Sequence, residues 1–215
     1  MSRLLLFALL ILCPGPAHAE NDTLATMEAI QKQYELVKTF SAEFSQKSYV
    51  KMMGKAQQSS GTVVIKKPGK MKWVYNAPDP QVLISNDKTL WLYVPEEGQV
   101  SQMPVENVYS SNAPALFLSG KGKLMESFKT TGIKKIDREL VVSMVPKQED
   151  HSLTRLALYA DNKSFQITGA TVYDKLGNQT EIRFTKIQIN LDVPEATFQF
   201  VKPQGAELLD FTNKE

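Results

Sequence analysis

Cysteine occurs once in the 215 residues, as Cys13, and histidine twice, as His18 and His151. Downstream of Cys13 the chain can therefore form no disulfide and offers no thiol nucleophile, and once His18 leaves with the leader described below, His151 alone excludes most multi-histidine metal sites. Neither sign of charge is in excess, with 25 Lys+Arg against 23 Asp+Glu, so the electrostatic footprint of a nucleic-acid binder is missing. Long apolar runs are also lacking. The run Leu4 to Leu12 covers about nine residues, short of the ~20 that span a hydrocarbon core.

The remaining polar clusters do not assemble a catalytic set. His151 lies in the polar stretch from Lys147 to Ser152 and reads as a solvated hairpin residue. Gly120-Lys121-Gly122-Lys123 lacks the spacing and the Ser/Thr of a phosphate-binding loop and reads as a helix end with exposed lysines. Asp137, Glu139, Glu149 and Asp150 lie in turn-like segments and read as solvated turn residues. The chain is accordingly expected not to be an enzyme and to need no metal or cofactor.

What is present begins with an export signal. Arg3, the apolar run and the small-residue site Ala17-His18-Ala19 form the three regions of a secretory signal peptide, with cleavage expected after Ala19. Cys13 offers lipidation as an alternative, but Leu12 stands where such a site needs a small residue. Cleavage leaves Glu20 to Glu215, long enough for a single domain with its own core, and 42% hydrophobic residues exclude a disordered chain.

Within that domain Asn21-Asp22 reads as a helix N-cap. Leu24, Met27, Ile30, Tyr34 and Val37 then follow at three-and-four spacing, predicting a helix over about Thr23 to Lys38. The period changes to two at Phe40, Ala42 and Phe44, and strand runs recur: Thr62 to Lys66, Met71 to Tyr75, Val82 to Ser85, Thr89 to Val94 and Gln99 to Met103. Pro114 to Leu118 predicts a short helix. Strands resume at Leu140 to Val145, Leu153 to Ala160, Phe165 to Tyr173 and Gln179 to Leu191. The expectation is a mainly β, α+β fold: a large curved antiparallel sheet with a few helices on one face. Trp73, Trp91, Tyr75, Tyr93, Phe117, Phe128, Leu116 and Leu118 form an apolar surplus that fills either a packed core or a ligand hollow.

Five segments in order resemble the periplasmic outer-membrane lipoprotein carrier family, LolA: Phe40 to Gln46, Lys67 to Trp73, Ser85 to Tyr93, Pro114 to Leu118 with Gly120-Lys121-Gly122, and Phe198-Gln199-Phe200 with Pro203-Gln204-Gly205. The resemblance implies a half-barrel of antiparallel strands with short α-helices as a lid over an apolar cavity. It implies a monomeric periplasmic chaperone that binds the acyl chains of lipoproteins. Its partners would be an inner-membrane ABC-type release complex and an outer-membrane acceptor. A sensor or scaffold built on the same half-barrel, or a carrier of another lipid, is the alternative. The acyl-chain contacts expected are Tyr34, Met71, Trp73, Tyr75, Leu116, Phe117 and Leu118. Where the family places an Arg that holds the lid shut, this chain has Lys67, so lid control at that position rests on an ammonium, not a guanidinium fork.

Overall fold

The computed structural model describes residues 17–76, 78–105, 123–149 and 153–212. The chain enters through helix α1 (Ala17–Leu36) and continues into β1 (Thr39–Val50), β2 (Lys55–Lys66), β3 (Lys70–Tyr75), β4 (Gln81–Asn86), β5 (Thr89–Val94) and β6 (Gln99–Pro104). A short helix α2 (Leu124–Ser127) leads into β7 (Phe128–Ile136), β8 (Glu139–Pro146), β9 (Leu153–Asp161), β10 (Ile167–Asp174) and β11 (Gln179–Ile189), and β12 (Glu207–Asp210) ends the described chain. All twelve strands form one open, curved sheet in the order β12-β6-β5-β4-β3-β2-β1-β11-β10-β9-β8-β7. Pairing is antiparallel except between β12 and β6, which run parallel.

The helix begins earlier than its sequence cap suggests. Asn21 and Asp22 lie inside α1, and the Thr26 hydroxyl donates to the Asp22 carbonyl at 2.8 Å, one turn back along the helix. Met27, Ile30, Tyr34 and Val37 are buried as the periodicity requires, whereas Leu24 is half-exposed.

Strands β1 and β2 form a long hairpin in register from Thr39↔Lys66 to Val50↔Lys55. One face of β1 carries Phe40, Ala42 and Phe44, all buried, opposite Ile65, Val63 and Gly61 of β2. The same face continues through Met71 and Trp73 on β3 and Ile182 and Phe184 on β11, and α1 lies against it, so the core sits between helix and sheet. Gly61 is required here: a Cβ would lie 1.9 Å from the Val74 carbonyl oxygen and 3.0 Å from the Phe44 ring.

The opposite face of β4 to β6 is covered by the chain after β11. Phe198, Val193 and Ala206 are buried there with Ile84 and Val100, and Phe200 stacks on Trp91 with ring centroids 5.7 Å apart. Trp91 and Tyr93 therefore belong to a second apolar layer outside the sheet, on the face opposite Leu90.

Candidate functional site: the face beneath the first helix

Strand alternation puts Met71, Trp73 and Tyr75 on one face of β3, with cross-strand partners Ile65, Val63 and Gly61 on β2. Phe44 closes on them from β1, its ring centroid 5.0 Å from Trp73 and 4.9 Å from Tyr75, both edge-on. Phe184 of β11 reaches Phe40 at 5.2 Å and Trp73 at 6.4 Å. These rings form a continuous aromatic floor across three strands, and edge-to-face contacts of this kind add to the burial of their area.

The floor ends at Tyr75. Its hydroxyl donates to Gln46 Oε1 at 3.2 Å, and burial pushes its pKa up to about 12, so it stays a neutral donor. Beyond it the same face of the hairpin is polar, with Gln46, Ser48, Ser59 and Gln57.

At the other end Tyr34, Val37, Phe40, Ile65, Lys67 and Ile167 line a hollow of about 30 Å³ between α1 and the sheet. Lys67, just after β2, ties this end to the helix. Its backbone N–H donates to the Lys38 carbonyl at 2.9 Å. Its ammonium donates to the Tyr34 carbonyl at 2.5 Å and stands 3.4 Å from the centroid of the Tyr34 ring. The Tyr34 carbonyl belongs to the last turn of α1, where carbonyls lack helical partners and the dipole favours a cation. Burial, first, and then Lys38 lower the Lys67 pKa to about 8, with Glu35 acting the other way. Two weaker ties add to it: Gln33 Nε2 donates to Gln166 Oε1 at 3.4 Å, and the Lys38 N–H to Asn190 Oδ1 at 2.8 Å.

Residues 35–201 match the family model described as outer membrane lipoprotein carrier protein LolA. The chain belongs to the LolA family. A relative called outer-membrane lipoprotein carrier protein in Dechloromonas aromatica (strain RCB) is 32% identical over 189 residues, covering 86% of this chain and 89% of that one. Another of that name, in Azotobacter vinelandii (strain DJ / ATCC BAA-1303), is 29% identical, covering 96% and 97%. Among solved structures, an uncharacterized conserved protein from Thermus thermophilus aligns with a TM-score of 0.55 at 10% identity, covering 88% of this chain and 99% of that one. A DUF1329 family protein from Desulfovibrio piger aligns at 0.51 and 14% identity, covering 82% and 96%. These two likenesses show the fold alone.

Of the residues singled out in this LolA-family chain, Tyr34, Met71, Trp73 and Tyr75 meet in one layer, and Lys67 stands at its edge bonded to Tyr34. Leu116, Phe117 and Leu118 lie outside the described residues, as does His151. Phe40, Phe44 and Phe184 complete the floor; the alternation of Phe40, Ala42 and Phe44 is their signal, but only the β1–β11 register brings Phe184 opposite Phe44. Glu139 is no solvated turn residue. It accepts two bonds from Arg183 Nη1, at 2.8 and 2.9 Å, and one from the Thr168 hydroxyl at 2.9 Å, joining β8, β10 and β11. Among the described residues no helix is long and apolar enough to cross a membrane.

Proposed function

We propose that this chain is exported, loses Met1 to Ala19, and carries acylated lipoproteins through the periplasm with their acyl chains held between α1 and the aromatic floor. Cleavage after Ala19 trims three residues from α1 and leaves Glu20–Leu36 against the sheet. The observation that carries the reading is the large apolar face that α1 covers, with a hollow of about 30 Å³ between Tyr34 and the sheet among the described residues. Pockets that enclose ligands measure ~300–1,000 Å³. At this end cargo enters as the helix moves off the floor, and Lys67 is the latch that it releases. The apolar surface so uncovered replaces the membrane for the acyl chains, each CH₂ of which gains about 0.8 kcal/mol by leaving water. No residue on this face has a chemical step to perform. Loading from an inner-membrane ABC-type release complex and delivery to an outer-membrane acceptor belong to the same proposal; the family's description, outer membrane lipoprotein carrier protein, supports the cargo.

The test uses a photoreactive benzoyl-phenylalanine at Tyr75, on the floor, and at Tyr93, on the opposite face. Lipoprotein loaded on the exported protein crosslinks through position 75 and not through position 93. Equal crosslinking from both, or crosslinking from 93 alone, removes the floor as the acyl site. N-terminal sequencing of the same preparation checks the start at Glu20.

A further inference from the structure

The far end of the β1–β2 hairpin carries a feature that cargo binding does not use. Lys51, Met52 and Met53 form one 3-10 turn, and Gly54 closes it at φ 61, its N–H donating to the Val50 carbonyl at 3.0 Å. The turn is held from the side: the Lys51 N–H donates to Asn178 Oδ1 at 3.0 Å, and the Lys51 side chain packs on Gly177 of the β10–β11 turn. The two hairpin tips are thus joined by a hydrogen bond and a side-chain contact. On their outside stand Met52 at 94% exposure, Met53 at 69% and Leu176 at 73%, with Tyr49 partly exposed behind them.

Cations surround this apolar point. Lys47, Lys51, Lys55 and Lys175 are exposed beside it. No carboxylate among the described residues pairs with Lys47, Lys51 or Lys55; Lys175 meets Glu149 at 3.1 Å. Asp174 is turned inward, accepting from the backbone and side-chain nitrogens of Asn178 at 2.8 and 2.7 Å, and Glu181 is held by Arg183. The apolar side chains stand on a convex tip and not in a groove, so they suit insertion into a deformable surface better than complementarity to a folded protein. Exposed methionines adapt to irregular apolar surroundings, and lysine stems lie along such a surface with the ammonium reaching out.

We propose that the joined tips of the β1–β2 and β10–β11 hairpins are a reversible docking site for an anionic phospholipid surface, with Met52, Met53 and Leu176 entering the interface and Lys51 and Lys55 meeting the headgroup phosphates. A few apolar side chains plus a few basic ones give contact too weak to anchor, which a carrier that must leave again requires. The site lies at the end of the hairpin remote from the Lys67 latch, so it acts whether or not the floor holds cargo.

The test is flotation of the exported, delipidated protein with vesicles of phosphatidylcholine alone or mixed with phosphatidylglycerol. The parent floats with the mixed vesicles, more weakly with phosphatidylcholine, and less in high salt. Lys51→Gln with Lys55→Gln loses about fivefold per lysine on the mixed vesicles only. Met52→Ser with Met53→Ser loses about tenfold on both, while its melting temperature and lipoprotein loading match the parent's, because both side chains stand mostly in solvent. A parent that floats with neither vesicle, or variants that float as it does, overturns the proposal. So does a parent that ignores vesicles while the Met52→Ser/Met53→Ser chain fails to deliver lipoprotein, since the tip then meets a protein. Failure of the parent to load lipoprotein counts against the carrier reading and leaves this one standing.

Discussion

The two ends of the β1–β2 hairpin share one uninterrupted ladder of paired residues and differ in almost everything their side chains do. Toward the base, Phe40, Ala42 and Phe44 face Ile65, Val63 and Gly61, and every one is buried beneath α1. Toward the tip the same face carries Gln46 and Ser48 opposite Ser59 and Gln57, and the methionines of the turn stand in solvent. Backbone pairing alone is thus enough to extend a strand well past the core, provided a neighbour holds it, as β11 does by pairing out to Tyr49↔Gln179. The base is where apolar burial fixes tertiary structure; the tip is free of that duty, and substitutions there report on external contacts and not on folding.

The same amino-acid change at each end gives the sharpest contrast. Gly61→Ala places a methyl group 1.9 Å from the Val74 carbonyl oxygen, which neither β3 nor Phe44 can clear without shifting. It is expected to cost about 3 kcal/mol, the upper range for overpacking. Gly54→Ala meets no atom within 4 Å and pays only for its φ of 61, about 1 kcal/mol. Urea unfolding of the two variants measures this; equal losses would mean that the tip is as tightly built into the fold as the base.

This contrast also explains which parts of the molecule the sequence discloses. Strands that bury one face, such as β3 and β8, have bounds within a residue of the expected ones, because burial imposes the period of two. The first half of β2, Lys55 to Gly61, gives no signal: it is polar on both faces and is a strand because β1 pairs with it. Strand β7 escapes notice for a related reason. It is a sheet edge bearing Lys129, Lys134 and Lys135 with a bulge between Thr130 and Gly132, and the features that protect an edge from pairing also erase apolar alternation. The parallel strand β12 is four residues long and invisible to periodicity. The strand expected from Phe165 starts later: a φ of 57 and an N–H bond to the Asp161 carbonyl place Phe165 in the turn, and β10 starts at Ile167. In the site, face-sharing of Met71, Trp73 and Tyr75 is legible, whereas the contact of Lys67 with Tyr34 depends on how α1 crosses the sheet, which no local pattern encodes.

A smaller effect is expected at the latch. Lys67→Leu removes the donor to the Tyr34 carbonyl, a bond that the charged and the neutral amine can both make, and leaves that last-turn carbonyl without it. The loss is local: amides from Ile30 to Leu36 exchange about fivefold faster, matching roughly 1 kcal/mol of lost closure. Lys67→Arg stacks a planar cation on Tyr34 and offers more donors, so the same amides slow and a loaded lipoprotein passes faster to an acceptor. Met52→Ser at the tip leaves exchange in α1 untouched. Unchanged exchange in both Lys67 variants would show that the helix is held by its apolar face alone.

The smallest effect is one of pH, and its sign follows from the burial of Lys67. Closed, the ammonium has a pKa near 8; released to solvent when α1 lifts, it returns to its ordinary 10.5. Between those values the open form binds more protons than the closed form, so rising pH favours closure; below pH 8 the group is charged in both forms and the balance is flat. The same sign holds for global unfolding, with the burial penalty present below pH 8 and relieved as pH rises toward 10.5. Tyr75, pushed to about 12, stays neutral throughout and does not blur the window. Affinity for an apolar fluorescent probe that must enter beneath α1 should therefore fall a few-fold from about pH 7.5 to about pH 9.5. The Lys67→Leu chain supplies the control, since it retains every other lysine and should lose the pH-dependent component. Should affinity rise instead across that interval in the parent alone, the charged ammonium must stabilise the closed helix by more than its burial costs, and the latch would weaken on deprotonation.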